Sequence, residues 1–352
     1  MDGFLWPGIL GVICLNFLFF QTALLGAGKE VRVITDRTEA HVAPLFKMYE
    51  EKYQVKIKPL FVDEGLIARL EARPEEADVV ITKNADLLEI MKGRKLLSPF
   101  SSKKITGNIP NDFLDEDSSY FVLAYRARMI FYSRDRVKVS DLSTYEDLAS
   151  PKWKGKICIR SGYHEYNISL FTQMAAVYGI ERTEKFIRGL KANLAKKPSG
   201  NDREQVKGIY EGKCDIAIAN SYYMGIMMSN KDQKPWALSA GTFFPNQEEG
   251  GTFVMTSGAS LTRAGKNSAE ALRLLEYLSD YEAGDYMTEA TFEYPVHSKK
   301  NWPEIVTRLG EGQPGIKEGV FRRRVVPFKD LPKFTERVVK ILNDVNFDDK
   351  AK

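Results

Sequence analysis

Short apolar runs alternate strictly with helical patterns in the first half of the chain, beginning after residue 28. In chain order, strand-like runs and helical patterns cover residues 31–35, 42–53, 55–58, 66–73 and 78–82. This alternation predicts a parallel sheet with helices on both faces. Because ligands of open α/β sheets lie beyond the carboxyl ends of the strands, Arg37, Glu39 and Lys83 are expected beside a cleft.

A second α/β unit follows a long β-rich stretch, residues 120–132, which has no turn residues and carries Arg126. We interpret this stretch as a strand that crosses between two lobes, with Arg126 at the hinge. In the second unit we expect strands at 156–160 and 215–220 and helices at 165–178, 183–193 and 203–211. The chain returns through residues 243–260, so the prediction is a two-lobed α/β fold with two hinge-crossing strands. Lobe 1 would hold residues 29–125 plus 239–352, and lobe 2 would hold residues 126–238.

The composition excludes several functional classes. With 352 residues, 43% hydrophobic and 28% charged, the chain is an ordinary globular sequence long enough for two lobes. Its three cysteines and three histidines show no zinc or iron–sulfur spacing. A net charge of +4 without a basic, aromatic-rich block argues against nucleic-acid binding. Cys158 and Cys214 could pair in an oxidising compartment, but two buried free thiols are at least as consistent with the sequence.

The N-terminal 28 residues are expected to direct export. Residues 4–27 are almost wholly apolar or small, and charge begins at Lys29 and Glu30. A signal peptide cleaved near Ala27 or Gly28 fits this pattern. The segment has no Lys or Arg before the apolar stretch and is long enough to remain as a membrane anchor. Both alternatives put the rest of the chain outside the cytoplasmic membrane.

Two adjacent tyrosines, Tyr222 and Tyr223, follow the apolar run 216–219 and the pair Asn220 and Ser221. A hard trivalent cation can displace the phenol protons and bind the resulting oxygen anions. Neighbouring side chains on a strand point to opposite faces, so both hydroxyls can reach one ion only if the backbone becomes irregular there. Simple packing is the alternative for such a pair.

Several segments together resemble the periplasmic ferric-ion-binding proteins of ABC iron importers, which have the type II periplasmic-binding-protein fold. The segments that carry the resemblance are residues 126–128, 150–155, 160–167, 200–205, 219–223, 244–247 and 292–296. The resemblance extends from about Val31 to Ser298 and covers most of the chain. It implies that Tyr166, Tyr222 and Tyr223 bind Fe³⁺.

The first loop, residues 35–40, has no tyrosine or histidine that matches a ligand of other family members. The chain is therefore similar to the three-tyrosine subgroup, in which a synergistic anion such as carbonate completes the iron site. Arg37 and Arg126 then become the expected anion-binding residues, because a guanidinium matches a planar oxyanion and stays charged.

Four further residues are candidates for supporting positions around the site. Glu39 could be an additional ligand, a partner of Arg37 or the first residue of a helix, and we favour the last two. Asn201 could lie near the anion or cap the helix at 203–211. Ser161 lies where free amide protons of a helix start favour an anion. Tyr163 could be a cleft wall or a replacement ligand.

The expected function is that of a non-enzymatic, monomeric, periplasmic receptor that passes ferric iron to an ABC permease. Contact with the membrane would be through the permease or a retained N-terminal anchor. The alternative is a receptor for a small organic or phosphate-type anion, with the tyrosines as hydrogen-bond donors. An enzyme is not supported, since the sequence has no Gly-x-Ser-x-Gly, phosphate-loop or dinucleotide-binding motif.

Overall fold

A computed structural model describes Met1 and residues 29–297 and 302–349. The predicted signal or anchor therefore lies, apart from Met1, outside the described residues. Within the described ranges, no helix is both long enough and apolar enough to cross a membrane.

The described part of the chain forms eleven strands and thirteen α-helices. The strands are Glu30–Thr35 (β1), Lys56–Phe61 (β2), Val79–Thr82 (β3), Leu97–Ser98 (β4), Phe121–Ser133 (β5), Ile157–Cys158 (β6), Ile216–Asn220 (β7), Ala240–Phe243 (β8), Thr252–Thr262 (β9), Tyr294–Pro295 (β10) and Arg323–Arg324 (β11). The helices are Glu39–Tyr53 (α1), Leu66–Ala72 (α2), Asp86–Gly93 (α3), Lys103–Asn108 (α4), Glu165–Tyr178 (α5), Ile180–Ala192 (α6), Asp202–Tyr210 (α7), Tyr223–Met228 (α8), Lys234–Ser239 (α9), Ala269–Leu278 (α10), Tyr281–Thr291 (α11), Glu304–Thr307 (α12) and Pro332–Asp344 (α13).

The central sheet is mixed and has the strand order β2-β1-β3-β9-β5-β7-β6. The predicted parallel pairing is present where β1 lies between β2 and β3, and again between β6 and β7. In contrast, β9 runs antiparallel to β3 and β5, and β5 runs antiparallel to β7. The sheet is therefore not parallel throughout, because β9 runs against β3 of the first α/β unit and β5 runs against β7 of the second.

Strand β5 crosses from one α/β unit to the other. Its first half, Phe121 to Ala127, pairs with β9, and its second half, Arg128 to Tyr132, pairs with β7. Every residue of β5 is buried. The strand therefore changes partner after Ala127, one residue past Arg126, where the sequence predicts a hinge.

The buried side chains form two clusters. The first is built mainly from β1, β3, α1 and α10, and the second includes α5, α6 and one face of β7. Helix α13 packs in the second cluster through Val338, Ile341 and Leu342. The division at residues 125/126 and 238/239 stays a prediction, but α13 packs against the helices assigned to lobe 2 although its residues were assigned to lobe 1.

Cys158 and Cys214 form a disulfide with a Cα–Cα distance of 5.8 Å, so they are not the free thiols that the sequence also allowed. The bond joins β6 to the residues just before β7. Strand β6 precedes the loop that leads to Tyr166, and β7 precedes Tyr222 and Tyr223. The disulfide therefore ties together the two strands that position the three tyrosines.

Candidate metal and anion site

Tyr166 lies in the first turn of α5, where its hydroxyl can reach the end of a neighbouring strand. His164 caps this helix, because its Nδ1 accepts a hydrogen bond of 3.2 Å from the Tyr166 amide. The Tyr166 ring lies 5.1 Å from the guanidinium carbon of Arg160, 5.6 Å from that of Arg126 and 5.8 Å from that of Arg128. The Tyr166 ring therefore lies among three guanidinium groups.

Tyr222 and Tyr223 lie just past the end of β7, where the backbone changes from extended to helical. Tyr222 has φ −63° and ψ −21°, and α8 begins at Tyr223. This is the irregular backbone that two adjacent tyrosines need to share a target. Their ring centroids are 4.2 Å apart, and the Tyr222 hydroxyl lies 3.2 Å from that of Tyr166.

The phenols of Tyr222 and Tyr223 are held in their neutral form. Burial, and then the adjacent Tyr166, raise the pKa of Tyr223 to about 12. The same two causes raise the pKa of Tyr222 well above its ordinary value, although Arg126 opposes them. A cation that binds these oxygens must therefore displace protons.

A buried polar network lies at the end of β7, next to the tyrosines. Arg128 donates hydrogen bonds to Asp202, to Asn220 at 3.2 Å and to Asn167 at 2.7 Å, and Arg160 lies 3.3 Å from Asp202. Asp202 also accepts a 2.9 Å hydrogen bond from the Asn220 amide at the end of β7. The network fixes that strand end, and it places one carboxylate between two guanidinium groups.

The arginines expected to bind an anion lie together on the other side. Arg37 donates a 2.9 Å hydrogen bond to Glu293, and Arg126 lies 3.7 Å from the same carboxylate. All three side chains are buried, with exposed fractions of 4%, 2% and 8%. We call Arg37, Arg126 and Glu293 the arginine side, and Tyr166, Tyr222 and Tyr223 the tyrosine side.

Polar contacts join the two sides. Arg126 donates to the Lys83 carbonyl at 2.8 Å and to Asn84 Oδ1 at 3.0 Å. Asn84 in turn donates a 2.8 Å hydrogen bond to Glu165, and Lys83 Nζ lies 3.4 Å from the same carboxylate. Because Glu165 directly precedes Tyr166, the loop after β3 contacts the start of the helix that carries the first tyrosine.

Comparison with known proteins places the chain in a family. Residues 75–314 match the bacterial extracellular solute-binding protein family. The chain belongs to this family. The solute-binding protein is 37% identical over 270 residues to iron uptake protein A2 of Synechocystis sp. (strain ATCC 27184 / PCC 6803 / Kazusa), an alignment that covers 71% of this chain and 78% of the relative.

Two solved structures resemble the solute-binding protein over most of its length. Ferric iron-binding protein A of Mannheimia haemolytica, in an open conformation, has a TM-score of 0.81 and 39% identity, covering 91% of this chain and 99% of that one. A Trichodesmium protein (IdiA, FutA) in complex with iron and citrate has a TM-score of 0.82 and 30% identity, covering 90% and 99%. The predicted resemblance to periplasmic ferric-ion-binding proteins and the predicted two-lobed fold are confirmed.

Three residues expected near the site have other roles in this solute-binding protein. Ser161 donates a hydrogen bond to Asp348, near the C-terminal end of the described chain. Tyr163 donates one of 2.7 Å to Asn343 of α13 and is 41% exposed, and its place as a cleft wall or a replacement ligand stays a prediction. Asn201 caps α7 by accepting from the amides two and three residues later, at 3.0 and 3.2 Å, which is the alternative left open for it.

Glu39 is the exposed first residue of α1, as one of its two favoured interpretations had it. The other favoured interpretation, a partnership with Arg37, is wrong because Arg37 pairs with Glu293 instead. Glu293 pairs with Arg37, although it is distant in the chain, because its carboxylate is buried with the guanidinium group, whereas Glu39 is exposed to solvent.

Sequence reasoning missed Glu293, Asn84 and the network around Arg128. One signal was available for Glu293, since it lies in the segment 292–296 that carried part of the resemblance. Another signal was available for Arg128, because alternate residues of a strand share a face and a buried charge needs a partner. The partners themselves are 39 or more residues away in the chain, and no local pattern identifies them.

Proposed function

We propose that this solute-binding protein captures ferric iron in the periplasm with Tyr166, Tyr222 and Tyr223 and delivers it to an ABC permease. The observation that supports this most is the 3.2 Å approach of the Tyr166 and Tyr222 hydroxyls, with the Tyr223 ring against that of Tyr222. The relatives, an iron uptake protein and a ferric iron-binding protein, support the same cargo.

The phenols suit a hard trivalent cation. Three phenolates neutralise the charge of Fe³⁺, and oxygen anions are the ligands that such ions prefer. In the described ranges no group of three or more His, Cys, Asp or Glu residues could hold a metal ion, so the phenols are the candidate donors. Capture would release protons, and acid would release the iron because protons compete for the phenolates.

The anion-binding part of the proposal uses Arg37 and Arg126. Their guanidinium groups would hold carbonate or a similar synergistic anion, which completes the coordination of the iron. Two buried nitrogens of Arg37, Nε and Nη1, have no hydrogen-bond partner among the described residues. A planar oxyanion between the arginines and the tyrosine side would give them one.

A titration of the purified protein with ferric citrate, with and without hydrogencarbonate, tests the proposal. We expect a visible phenolate-to-iron charge-transfer band that strengthens with hydrogencarbonate. The double variant Tyr222→Phe, Tyr223→Phe should lose the band and most of the affinity. Retention of both by that variant would refute tyrosine ligation.

The second candidate function is a receptor for a small organic or phosphate-type anion. The unpartnered nitrogens of Arg37 favour it, since they would serve such an anion equally well. Calorimetry on the metal-free protein separates the two functions. Tight anion binding without iron would support the second function, and dependence on iron would support the first.

A further inference from the structure

Glu293 stands between the two arginines and is positioned by local sheet structure. It lies between α11 and β10, and β10 pairs antiparallel with β5 so that Tyr294 is opposite Tyr125. This register puts Glu293 beside Arg126. Its amide donates a 3.2 Å hydrogen bond to the Thr291 hydroxyl, which fixes the backbone where α11 ends.

The carboxylate of Glu293 is shared by two buried cations. Its Oε2 accepts a 2.9 Å hydrogen bond from Arg37 Nη2, and its Oε1 lies 3.7 Å from Arg126 Nη1. Burial alone would raise the pKa of Glu293, but Arg37 and then Arg126 hold it below its ordinary value. The carboxyl group is therefore ionised, and the arginine side carries one net positive charge instead of two.

Other charged groups lie near the arginine side: Glu165 also acts on Arg126, and Lys83 Nζ pairs with Glu165 at 3.4 Å. His41 is neutral near pH 7, because burial and then Arg37 lower its pKa. Glu293 is the carboxylate that lies within 4 Å of both guanidinium groups, so it has the most direct influence on the charge that an incoming anion meets there.

We propose that Glu293 makes anion binding conditional on iron, by acting as a built-in counter-anion for Arg37 and Arg126 in the metal-free protein. This inference rests on the proposed function and adds a residue to its site. Without iron, an anion meets guanidinium groups that are already half neutralised, and it is repelled by the nearby carboxylate. Bound Fe³⁺ would offer the anion a direct ligand bond, although the three phenolates balance its formal charge, and this bond would let an anion and Glu293 occupy the same site.

The Glu293 loop also contacts the tyrosine side. A Cβ added at Gly225, in α8, would lie 2.2 Å from the ring of Phe292, so the residue before Glu293 packs directly against the helix that begins at Tyr223. The loop that carries the counter-anion and the helix that begins at Tyr223 are therefore held in one packed unit.

The test compares anion binding by metal-free wild type and Glu293→Gln. Isothermal titration with sodium hydrogencarbonate, and separately with inorganic phosphate, should give at least about tenfold tighter binding for the variant, because it removes a negative charge within a few ångströms of the anion. Glu282→Gln is the matched control, since Glu282 is a surface carboxylate paired with Lys52. The control should bind like wild type.

Glu293→Asp provides the second variant, since it keeps the charge and only shortens the side chain. We expect it to bind anions as weakly as wild type when iron is absent. Equal metal-free binding by wild type and Glu293→Gln would overturn the inference, and so would tight binding by Glu293→Asp. The assay contains no iron, so a failure of ferric binding in wild type would reject the proposed function and leave this comparison interpretable.

Discussion

The two sides of the site differ in the kind of polar group that they contain. On the tyrosine side, neutral phenols converge on one another above a buried network of Arg128, Arg160 and Asp202. On the arginine side, permanent charges already compensate one another through Glu293. In the proposed function, the tyrosine side would become charged only when a cation binds, whereas the arginine side is charged already in the metal-free protein.

This difference separates two costs of binding. In the proposed function, iron capture by the tyrosine side would require the removal of protons from phenols whose pKa is raised by burial, so it would depend on pH. An anion that binds at the arginine side would have to compete with the Glu293 carboxylate, which already contacts both guanidinium groups. Cation and anion are therefore expected to assist each other's binding, since bound iron would offset the repulsion between the anion and Glu293.

The largest effect should come from breaking the tyrosine side. Tyr166→Phe removes the hydroxyl that lies 3.2 Å from Tyr222. Loss of a residue that only supports a metal ligand lowers metal affinity roughly 10- to 100-fold. We expect Tyr166→Phe to lower ferric affinity by more than this, because it removes an anionic ligand. The measurement is competition against citrate at fixed pH, followed by the visible band.

Tyr163→Phe is the matched control for that experiment. Tyr163 lies three residues earlier, in the loop that leads into α5, but its hydroxyl bonds to Asn343 at 2.7 Å. Its variant should keep the band and the affinity. A loss of similar size in both variants would mean that the loop matters only for its packing.

Much of the fold was predictable because local patterns determined it. The helix predicted at 165–178 is α5, and the crossing strand predicted at 120–132 is β5, shifted by one residue. Both have strong signals: a periodic apolar stripe in one, and a long β-rich run without turn residues in the other. The C-terminal helix was harder to place, because its apolar stripe shows that it packs but not against which lobe.

The site was predictable only in part, for a related reason. The structure brings together Tyr166 and Tyr222, 56 residues apart, and the sequence could group them only through the family resemblance. Ser161 was expected near the anion because it precedes a helix, yet it bonds to Asp348, 187 residues away. Long-range polar partners of this kind are selected by tertiary packing and leave no local trace.

A second prediction concerns Asp86, whose carboxyl group interacts with Arg126 of the arginine side. Asp86, at the start of α3, has its pKa raised to about 6, chiefly by burial and despite the opposing charge of Arg126. The native protein therefore holds this proton more tightly than the unfolded chain, and the ionised form destabilises it as pH rises through 6. Asp86→Asn should raise the free energy of unfolding at pH 7 by about 1–2 kcal/mol, after allowance for partial exposure.

The pH dependence of that gain is its test. The stabilisation should shrink towards zero near pH 4, where Asp86 is protonated in the folded protein and increasingly so in the unfolded chain. Denaturant unfolding of the metal-free protein at pH 7 and pH 4 measures it, with the exposed Asp63→Asn as control. A gain that is the same at both pH values would show that the effect is one of packing and not of charge.

The smallest expected effect concerns the contact between the two sides. Asn84 accepts from Arg126 at 3.0 Å and donates to Glu165 at 2.8 Å. Asn84→Ala removes both bonds, and we expect iron release to a chelator to become about three- to tenfold faster, since a net hydrogen bond contributes about 0.5–1.5 kcal/mol. Stopped-flow absorbance of the visible band measures the rate.

Asn84→Asp identifies which of the two bonds matters. It keeps an acceptor for Arg126 but places a second carboxylate against Glu165, and like charges at this distance repel. If Asn84 holds the two sides together through Glu165, this variant should release iron faster than Asn84→Ala. If Asn84 serves only to support Arg126, Asn84→Asp should behave like wild type, and the link between the loop after β3 and the start of α5 would have no part in retaining the ion. Asn108→Ala, whose side chain reaches Ser279 at 3.4 Å, controls for the loss of a part-buried amide elsewhere.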